Sequence, residues 1–174
     1  MKIAHLLFSL LFLAHTSCAQ GPLERPKLQN PNFDRTLKVL LDFSIPLMSV
    51  QELHAKKDKV IIFDTREWTE YETSHIENAA YLGYTQVQTQ QLEKLPKDTT
   101  IVLYCSVGYR SEKMGEKLQE MGFNRVYNLY GSLFEWVNAG YPVVDMGSTT
   151  TNRVHAYDRI WGQWLEQEQV QKVY

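Results

Sequence analysis

The residues best suited to chemistry lie together in one run, Cys105-Ser106-Val107-Gly108-Tyr109-Arg110-Ser111. The apolar, β-branched segment Ile101-Val102-Leu103-Tyr104 precedes it. Met114, Leu118 and Met121 follow it at helical spacing. The pattern predicts strand, tight loop, helix, with the helix running from Glu112 to Met121. A cysteine at the carboxyl end of a buried strand then faces the unpaired N–H groups of a helix N-terminus. Such a position binds an anion and can lower a thiol's pKa well below about 8.5. Cys105 is the candidate nucleophile, and the loop is the candidate substrate holder.

The elements that must position this loop alternate. Leu47-Met48 reads as a short strand, and Ser49 as the cap of a helix carrying Val50 and Leu53. Val60–Phe63 is a strand buried on both faces that ends at Asp64. Glu67–Thr73 reads as a helix, Ala79–Leu82 as a strand, and Gln86–Leu95 as a helix using Val87, Leu92 and Leu95. After the loop's own helix, Gly122 is a C′ glycine. Arg125–Leu129 is a strand, and Gly131-Ser132 open a helix bearing Leu133, Phe134, Trp136 and Val137. This order predicts an α/β fold with a central parallel β-sheet flanked by helices on both faces. Ligands in such sheets sit beyond the carboxyl ends of the strands, where both Asp64 and Cys105 fall.

The 174 residues are 44% hydrophobic and 22% charged with a net charge of −2, which suits one globular domain with extensions. No basic run supports nucleic-acid binding. Residues 1–19 read as a secretory signal: Lys2, the apolar Ile3–Ala14, then Thr16-Ser17-Cys18-Ala19. Cleavage after Ala19 fits the small-x-small rule. Cleavage before Cys18 with lipid on its sulfur also fits, although His15 replaces the usual Leu. Either route removes or caps Cys18, leaving Cys105 as the sole free thiol and excluding an internal disulfide. Residues 20–44 read as a proline-containing tether and an amphipathic helix capped by Asn32, with Phe33, Leu37, Leu40 and Leu41 on one face. That helix is expected to pack on the outside of the domain. Residues 45–145 form the main domain. Residues 146–174 form a linker and an amphipathic tail, in which Val154, Tyr157, Ile160, Trp161, Trp164 and Leu165 keep helical spacing. The tail's tryptophans need burial, and docking on this domain is favoured over docking on a partner.

The segment Ile45–Val144 resembles a single-domain rhodanese, a sulfurtransferase. The resemblance rests on Asp64-Thr65-Arg66-Glu67 with Glu70-Tyr71, then Ser74-His75-Ile76-Glu77-Asn78-Ala79. It continues through the Cys105–Ser111 loop to Tyr127-Asn128-Leu129-Tyr130-Gly131 with Trp136. Ser74, Asn78 and Ser132 stand where that family usually has glycine. Asn78 tolerates positive φ, and Ser132 can cap a helix. The resemblance implies a rhodanese-like domain in which Cys105 carries a persulfide between two half-reactions. Loop N–H groups from Ser106 through Val107, Gly108 and Tyr109 to Arg110 would stabilise the anionic sulfur. Gly108 would let the backbone curl, and Arg110 would attract an anionic donor. Tyr109 would form a pocket wall, and Ser111 would cap the next helix or donate to the sulfur. Asp64 and Arg66 read either as an ion pair bracing the loop or with Arg66 at the pocket mouth. His75 reads as structural.

The partners implied are a small anionic sulfur donor such as thiosulfate or polysulfide, and a thiol, cyanide-like or protein acceptor. No cofactor and no metal site is expected; the five histidines are scattered. Membrane contact is expected only through lipid on Cys18, and the location is the periplasm or cell envelope. Two other readings compete. One is a non-catalytic rhodanese-like interaction module in the envelope, favoured by the two-tryptophan tail. The other is a cysteine phosphatase or arsenate reductase, which uses Cys-x5-Arg. Here Arg110 lies five positions after Cys105, giving Cys-x4-Arg and a tighter ring suited to a single sulfur atom.

Overall fold

The computed structural model describes residues 25–174. The expected export signal, Cys18 included, lies outside the described residues. The central element is a five-stranded sheet in the order β1-β5-β4-β2-β3, built from Leu47–Met48 (β1), Ile61–Asp64 (β2), Ala80–Tyr81 (β3), Ile101–Tyr104 (β4) and Val126–Leu129 (β5). Every pairing is parallel. All four residues of β4, the middle strand, are buried. This matches its unbroken apolar sequence.

Side chains alternate across the sheet and separate two cores. Ile62, Val102 and Tyr104 point to one face, against Val50 and Leu53 of α2 (Val50–Lys56) and Leu133, Phe134 and Trp136 of α6 (Ser132–Asn138). Phe63, Ile101, Leu103 and Val126 point to the other, against Met114 and Leu118 of α5 (Tyr109–Glu120) and Leu92 of α4 (Gln90–Glu93). The sheet is thus covered on both faces, as the alternation of elements predicts. From β2 the chain continues outward to β3, whereas from β4 it continues the opposite way to β5. The switch point lies between β2 and β4, so Asp64 and Cys105 end neighbouring strands where a crevice opens.

Several expectations need correction. The helix predicted over Gln86–Leu95 shrinks to a single turn, Gln90–Glu93, because a four-residue helix is enough to seat Leu92 at 1% exposure. The first helix, α1 (Pro31–Leu40), is capped by Asn30, whose side chain accepts from Asn32 N–H and Phe33 N–H. With Pro31 at N1, the cap falls on Asn30, two residues before Asn32. As expected, α1 packs one face on the domain and leaves the other exposed, Val39 at 87%. Phe33 and Leu37 are fully buried in the α2/α6 core, and Tyr130 Oη donates to Asp34 Oδ1 at 2.8 Å. The preceding segment is docked too: Gln29 N–H donates to Glu135 Oε1 at 2.9 Å, and the Arg25 guanidinium lies 4.6 Å over the Phe43 ring.

The tail is not an amphipathic helix. Val143–Val144 (β6) pairs antiparallel with Thr150–Thr151 (β7), and Arg153–His155 (β8) pairs parallel with Gln171–Val173 (β9). A single 3₁₀ turn, Trp161–Trp164, lies between the latter two. Docking on the domain does occur. Trp164 stacks on Phe33 with ring centroids 5.3 Å apart, and Val154 and Leu165 are buried. Asn138 holds the turn through its side chain, donating to the Trp164 carbonyl at 2.7 Å and accepting from Glu166 N–H at 2.9 Å. The extended backbone wins over helical spacing because these bonds and burials serve the core rather than one helix face.

Phe33 therefore joins both ends of the described chain. Phe33→Ala should cost about 3–5 kcal/mol by removing a buried ring at this junction. The loss is read as a lower urea midpoint together with earlier proteolysis of the tail.

Candidate active site

Cys105 follows the middle strand and is 1% exposed. Its loop is clamped on one side by the start of α6. Ser132 Oγ accepts from Cys105 N–H at 3.2 Å, and the carbonyls of Cys105 and Ser106 each accept at 3.1 Å from Leu133 N–H and Phe134 N–H. Ser132 pays for this with positive φ, 52°, immediately after Gly131 at 76°. Gly131, rather than Ser132, occupies the N-cap; the Ser132 hydroxyl instead lies 3.2 Å from the Leu129 carbonyl. Asn78 also adopts positive φ, 65°, which its side chain tolerates.

On its other side the loop turns directly into α5, which begins at Tyr109, three residues earlier than its apolar spacing suggests. Gly108 makes this possible. At φ 119° and ψ −12° it adopts a backbone conformation that a Cβ disfavours, and its N–H points back to Cys105 Sγ at 3.1 Å. Ser111 lies inside the helix and is not its cap. Its hydroxyl is 2.7 Å from Asn128 Oδ1 and 3.1 Å from the Gly108 carbonyl, to which Asn128 Nδ2 also donates at 2.9 Å. Asn128, on β5, thereby fixes the curl of the loop. Burial pushes the Cys105 thiol up. The Arg110 charge and the Ser111 and Gly108 hydrogen bonds outweigh it and hold the pKa below the ordinary thiol value.

Arg110 is itself held. Its Nη1 donates to Glu70 Oε2 at 2.6 Å and its Nη2 to Glu70 Oε1 at 2.8 Å, a two-point pair across 40 residues of sequence. Ser106 Oγ donates to Glu70 Oε1 and accepts from Arg110 Nη2, each at 3.0 Å. Glu67 N–H supplies a fourth bond to the carboxylate at 3.0 Å. Burial pushes the Glu70 carboxyl up, but the Arg110 bonds and charge, with the charge of Arg66 beyond, bring it to about 2. Glu70 lies on α3 (Trp68–Thr73) and is the group that residue spacing alone did not single out. The Glu70-Tyr71 segment carried its only signal.

Asp64 and Arg66 brace the site from below. Both side chains are 0% exposed. Arg66 Nε and Nη2 donate to Asp64, at 2.6 Å for the closest contact, and Nη2 donates to the Ser74 carbonyl at 2.6 Å. The guanidinium also lies 5.7 Å from the Tyr104 ring centroid. Arg66 does not line the pocket mouth. His75 is part of the same scaffold: Nδ1 is 3.1 Å from the Tyr71 carbonyl and its ring stacks on Tyr71.

A cavity of about 120 Å³ opens over the thiol. Cys105, Ser106, Val107, Tyr109 and Arg110 line it from the loop, as the sequence pattern anticipates. Gly108 and Ser111 shape the loop from behind. Three further lining residues come from the flanks: Leu40 at the end of α1, and Tyr157 and Trp161 from the tail. Nothing in their spacing marks them, since an apolar stripe reads the same whether it fills a core or walls a pocket. Among the described residues no cluster of His, Cys, Asp and Glu could hold a metal ion.

Residues 49–139 match the model of the Rhodanese-like domain. The chain is 36% identical over 90 residues to the thiosulfate sulfurtransferase GlpE of Coxiella burnetii, covering 52% of this chain and 82% of that protein. It is 31% identical over 96 residues to a sulfurtransferase of Allochromatium vinosum, covering 55% and 89%. The solution structure of the Rhodanese-like domain from an Anabaena protein superimposes with a TM-score of 0.54 at 22% identity, over 59% of this chain and 80% of that one. At that identity the likeness is one of fold.

Two outcomes test this geometry. Asp64→Ala leaves the Arg66 charge buried without its partner and should cost about 3–5 kcal/mol in chemical denaturation. Arg110→Met removes the charge that lowers the thiol pKa and leaves Glu70 beside it. The pH midpoint for alkylation of Cys105 should move upward from that of the wild type, so that the variant reacts more slowly at neutral pH.

Proposed function

The chain belongs to the rhodanese-like family, and on that premise we propose that it is a sulfurtransferase working through a Cys105 persulfide. The observation that carries the proposal is the thiol itself. Its Sγ accepts the Gly108 N–H at 3.1 Å on the floor of a pocket, with Arg110 lowering its pKa. A thiol so placed gives up its proton more readily than an ordinary cysteine, and the thiolate is the nucleophilic form.

In the first step the Cys105 thiolate attacks the sulfane sulfur of an anionic donor. With thiosulfate, the new S–S bond forms as the donor's own S–S bond breaks, and the electron pair leaves on sulfite. The persulfide keeps one negative charge on its terminal sulfur, beside the loop N–H groups that face the thiolate. In the second step a thiolate or cyanide attacks that terminal sulfur, and the electron pair returns to Cys105. No net oxidation of the protein occurs across the cycle. Ser106, Val107, Gly108, Tyr109, Arg110 and Ser111 form the proposed substrate-binding segment, Glu70 positions Arg110, and Asp64 with Arg66 braces the sheet beneath. The short Cys-x4-Arg loop supports sulfur rather than phosphoryl chemistry, and the intact cysteine favours catalysis over a purely interacting module. The proposal includes export through the N-terminal segment to the envelope, with membrane contact only through lipid on Cys18.

The test is direct. After incubation with thiosulfate and desalting, intact-mass spectrometry of wild-type protein should show the gain of one sulfur atom. Cyanide should remove it as thiocyanate. Cys105→Ser should show neither. Absence of both on wild type, with thiosulfate and with polysulfide, would sink the reading, and turnover of an aryl phosphate would replace it with the phosphatase.

A further inference from the structure

The pocket over Cys105 has two unlike halves. The loop half carries the thiol, the Ser106 hydroxyl and the Arg110 charge, beside Val107 and Tyr109. The other half is Leu40, Tyr157 and Trp161, none of which lies within residues 49–139 that match the family. This chain therefore adds its own apolar wall to a shared loop. Tyr157 is held there at some cost. Its φ is 64°, a conformation that bulky residues rarely adopt, and its N–H is used in a bond to His155 Nδ1 at 3.1 Å. Its ring lies 5.1 Å from the Arg110 guanidinium carbon, covering the cation on the pocket side, yet the residue remains 48% exposed. Leu40 and Trp161 also border a wider open groove of about 500 Å³ that runs past Val39, which is 87% exposed. An apolar group seated in the pocket has a continuous apolar path outward.

Charge points the same way. The Arg110 cation is already matched, two bonds to two oxygens, by Glu70. With Cys105 as thiolate, these three groups sum to one negative charge. A dianion such as thiosulfate meets a site that is not net positive, whereas a singly charged donor with an organic substituent meets a wall suited to it. The cavity of about 120 Å³ is close to the ~150 Å³ that accepts a benzene ring in an apolar protein cavity.

We propose that Leu40, Tyr157 and Trp161 form a subsite for the organic group of a monoanionic sulfane donor, so that the enzyme selects organic donors over inorganic thiosulfate. The inference rests on the sulfurtransferase reading above. In the step it describes, the Cys105 thiolate attacks the sulfane sulfur of R–SO₂–S⁻. The Cys105 persulfide forms as the donor's S–S bond breaks, and the sulfinate R–SO₂⁻ leaves with the electron pair. One thiolate and one thiosulfonate become one persulfide anion and one sulfinate, with charge conserved. The Leu40–Tyr157–Trp161 wall contacts R and takes no part in the electron flow.

The experiment compares benzenethiosulfonate, methanethiosulfonate and thiosulfate as donors, with cyanide as acceptor and thiocyanate as the readout. The proteins are wild type, Tyr157→Asn and Trp161→Ala. Asn tolerates the left-handed backbone at 157, so that variant removes the ring while relieving strain, and it guards against a tail that unfolds in Trp161→Ala. In the wild type, kcat/KM for the benzene compound should exceed that for the methane compound by about tenfold or more, the scale of an apolar group in a fitted pocket. Thiosulfate should be the slowest. The leaving-group chemistry of the two thiosulfonates is common to all three proteins, so a change in their ratio reads the wall alone. The ratio should fall several-fold in each variant. An unchanged ratio in Tyr157→Asn, or a thiosulfate rate above both thiosulfonates in the wild type, overturns the subsite while leaving sulfur transfer intact. Failure of all three donors on wild type overturns the sulfurtransferase reading instead.

Discussion

The structure is governed by the balance of charge around a thiol that is almost removed from water. Burial alone would raise the Cys105 pKa. The opposing contributions are one cation and the amide groups of a tight loop, and each has requirements of its own. Arg110 can approach the thiol only if its own desolvation is met, which Glu70 does with both carboxylate oxygens. Glu70 in turn is satisfied by Ser106, by Glu67 N–H and by the more distant Arg66. Removing a partner anywhere along this sequence leaves a buried charge uncompensated, which is costlier than never having built the pair. The loop's curl is likewise secured from outside, by Asn128 on one neighbouring strand and by the first N–H groups of α6.

The sheet explains why these groups meet. Glu70 and Arg110 are far apart along the chain, but α3 follows β2 and α5 follows β4, and those two strands are neighbours at the switch point. Everything emerging from their carboxyl ends is delivered to the same crevice. The Asp64–Arg66 pair, fully buried beneath it and tied to the Ser74 carbonyl, holds the connection between β2 and β3 so that α3 presents Glu70 at a fixed height. The segments flanking this unit do a different job. The α1 helix and the tail close the core beside α6 through Phe33, Trp164 and Leu165, and their free edges reach over the loop as the outer wall of the pocket.

Which parts could be read in advance follows from how local their causes are. The four-residue run of β4, the capping Ser49 and the glycine at 122 each express short-range preferences, and all fall where those preferences put them. The start of α5 could not be read in the same way. Apolar spacing detects a helix by its buried face, and the first turn, Tyr109 to Ser111, faces the site and the loop rather than the core. The single turn of α4 shows the converse: Val87, Leu92 and Leu95 have helical spacing, but seating Leu92 needs only one turn. In the tail, Trp161 and Trp164 are spaced as on a helix while their backbone is held by Asn138 in a short 3₁₀ turn between strands.

By itself the sequence determined the candidate nucleophile, the loop that holds it, the parallel α/β order around it and the family to which the chain belongs. These rest on local patterning and on motifs whose spacing is their meaning. Only the tertiary structure decided that Arg110 is matched by Glu70, that Ser111 and Ser132 brace the loop rather than cap helices, and that Leu40, Tyr157 and Trp161 stand over the thiol. The reason is physical. Charge pairing and pocket shape depend on which residues distant in sequence the sheet brings within a few ångströms, and an apolar side chain has the same pattern whether its far side meets another side chain or an open cavity.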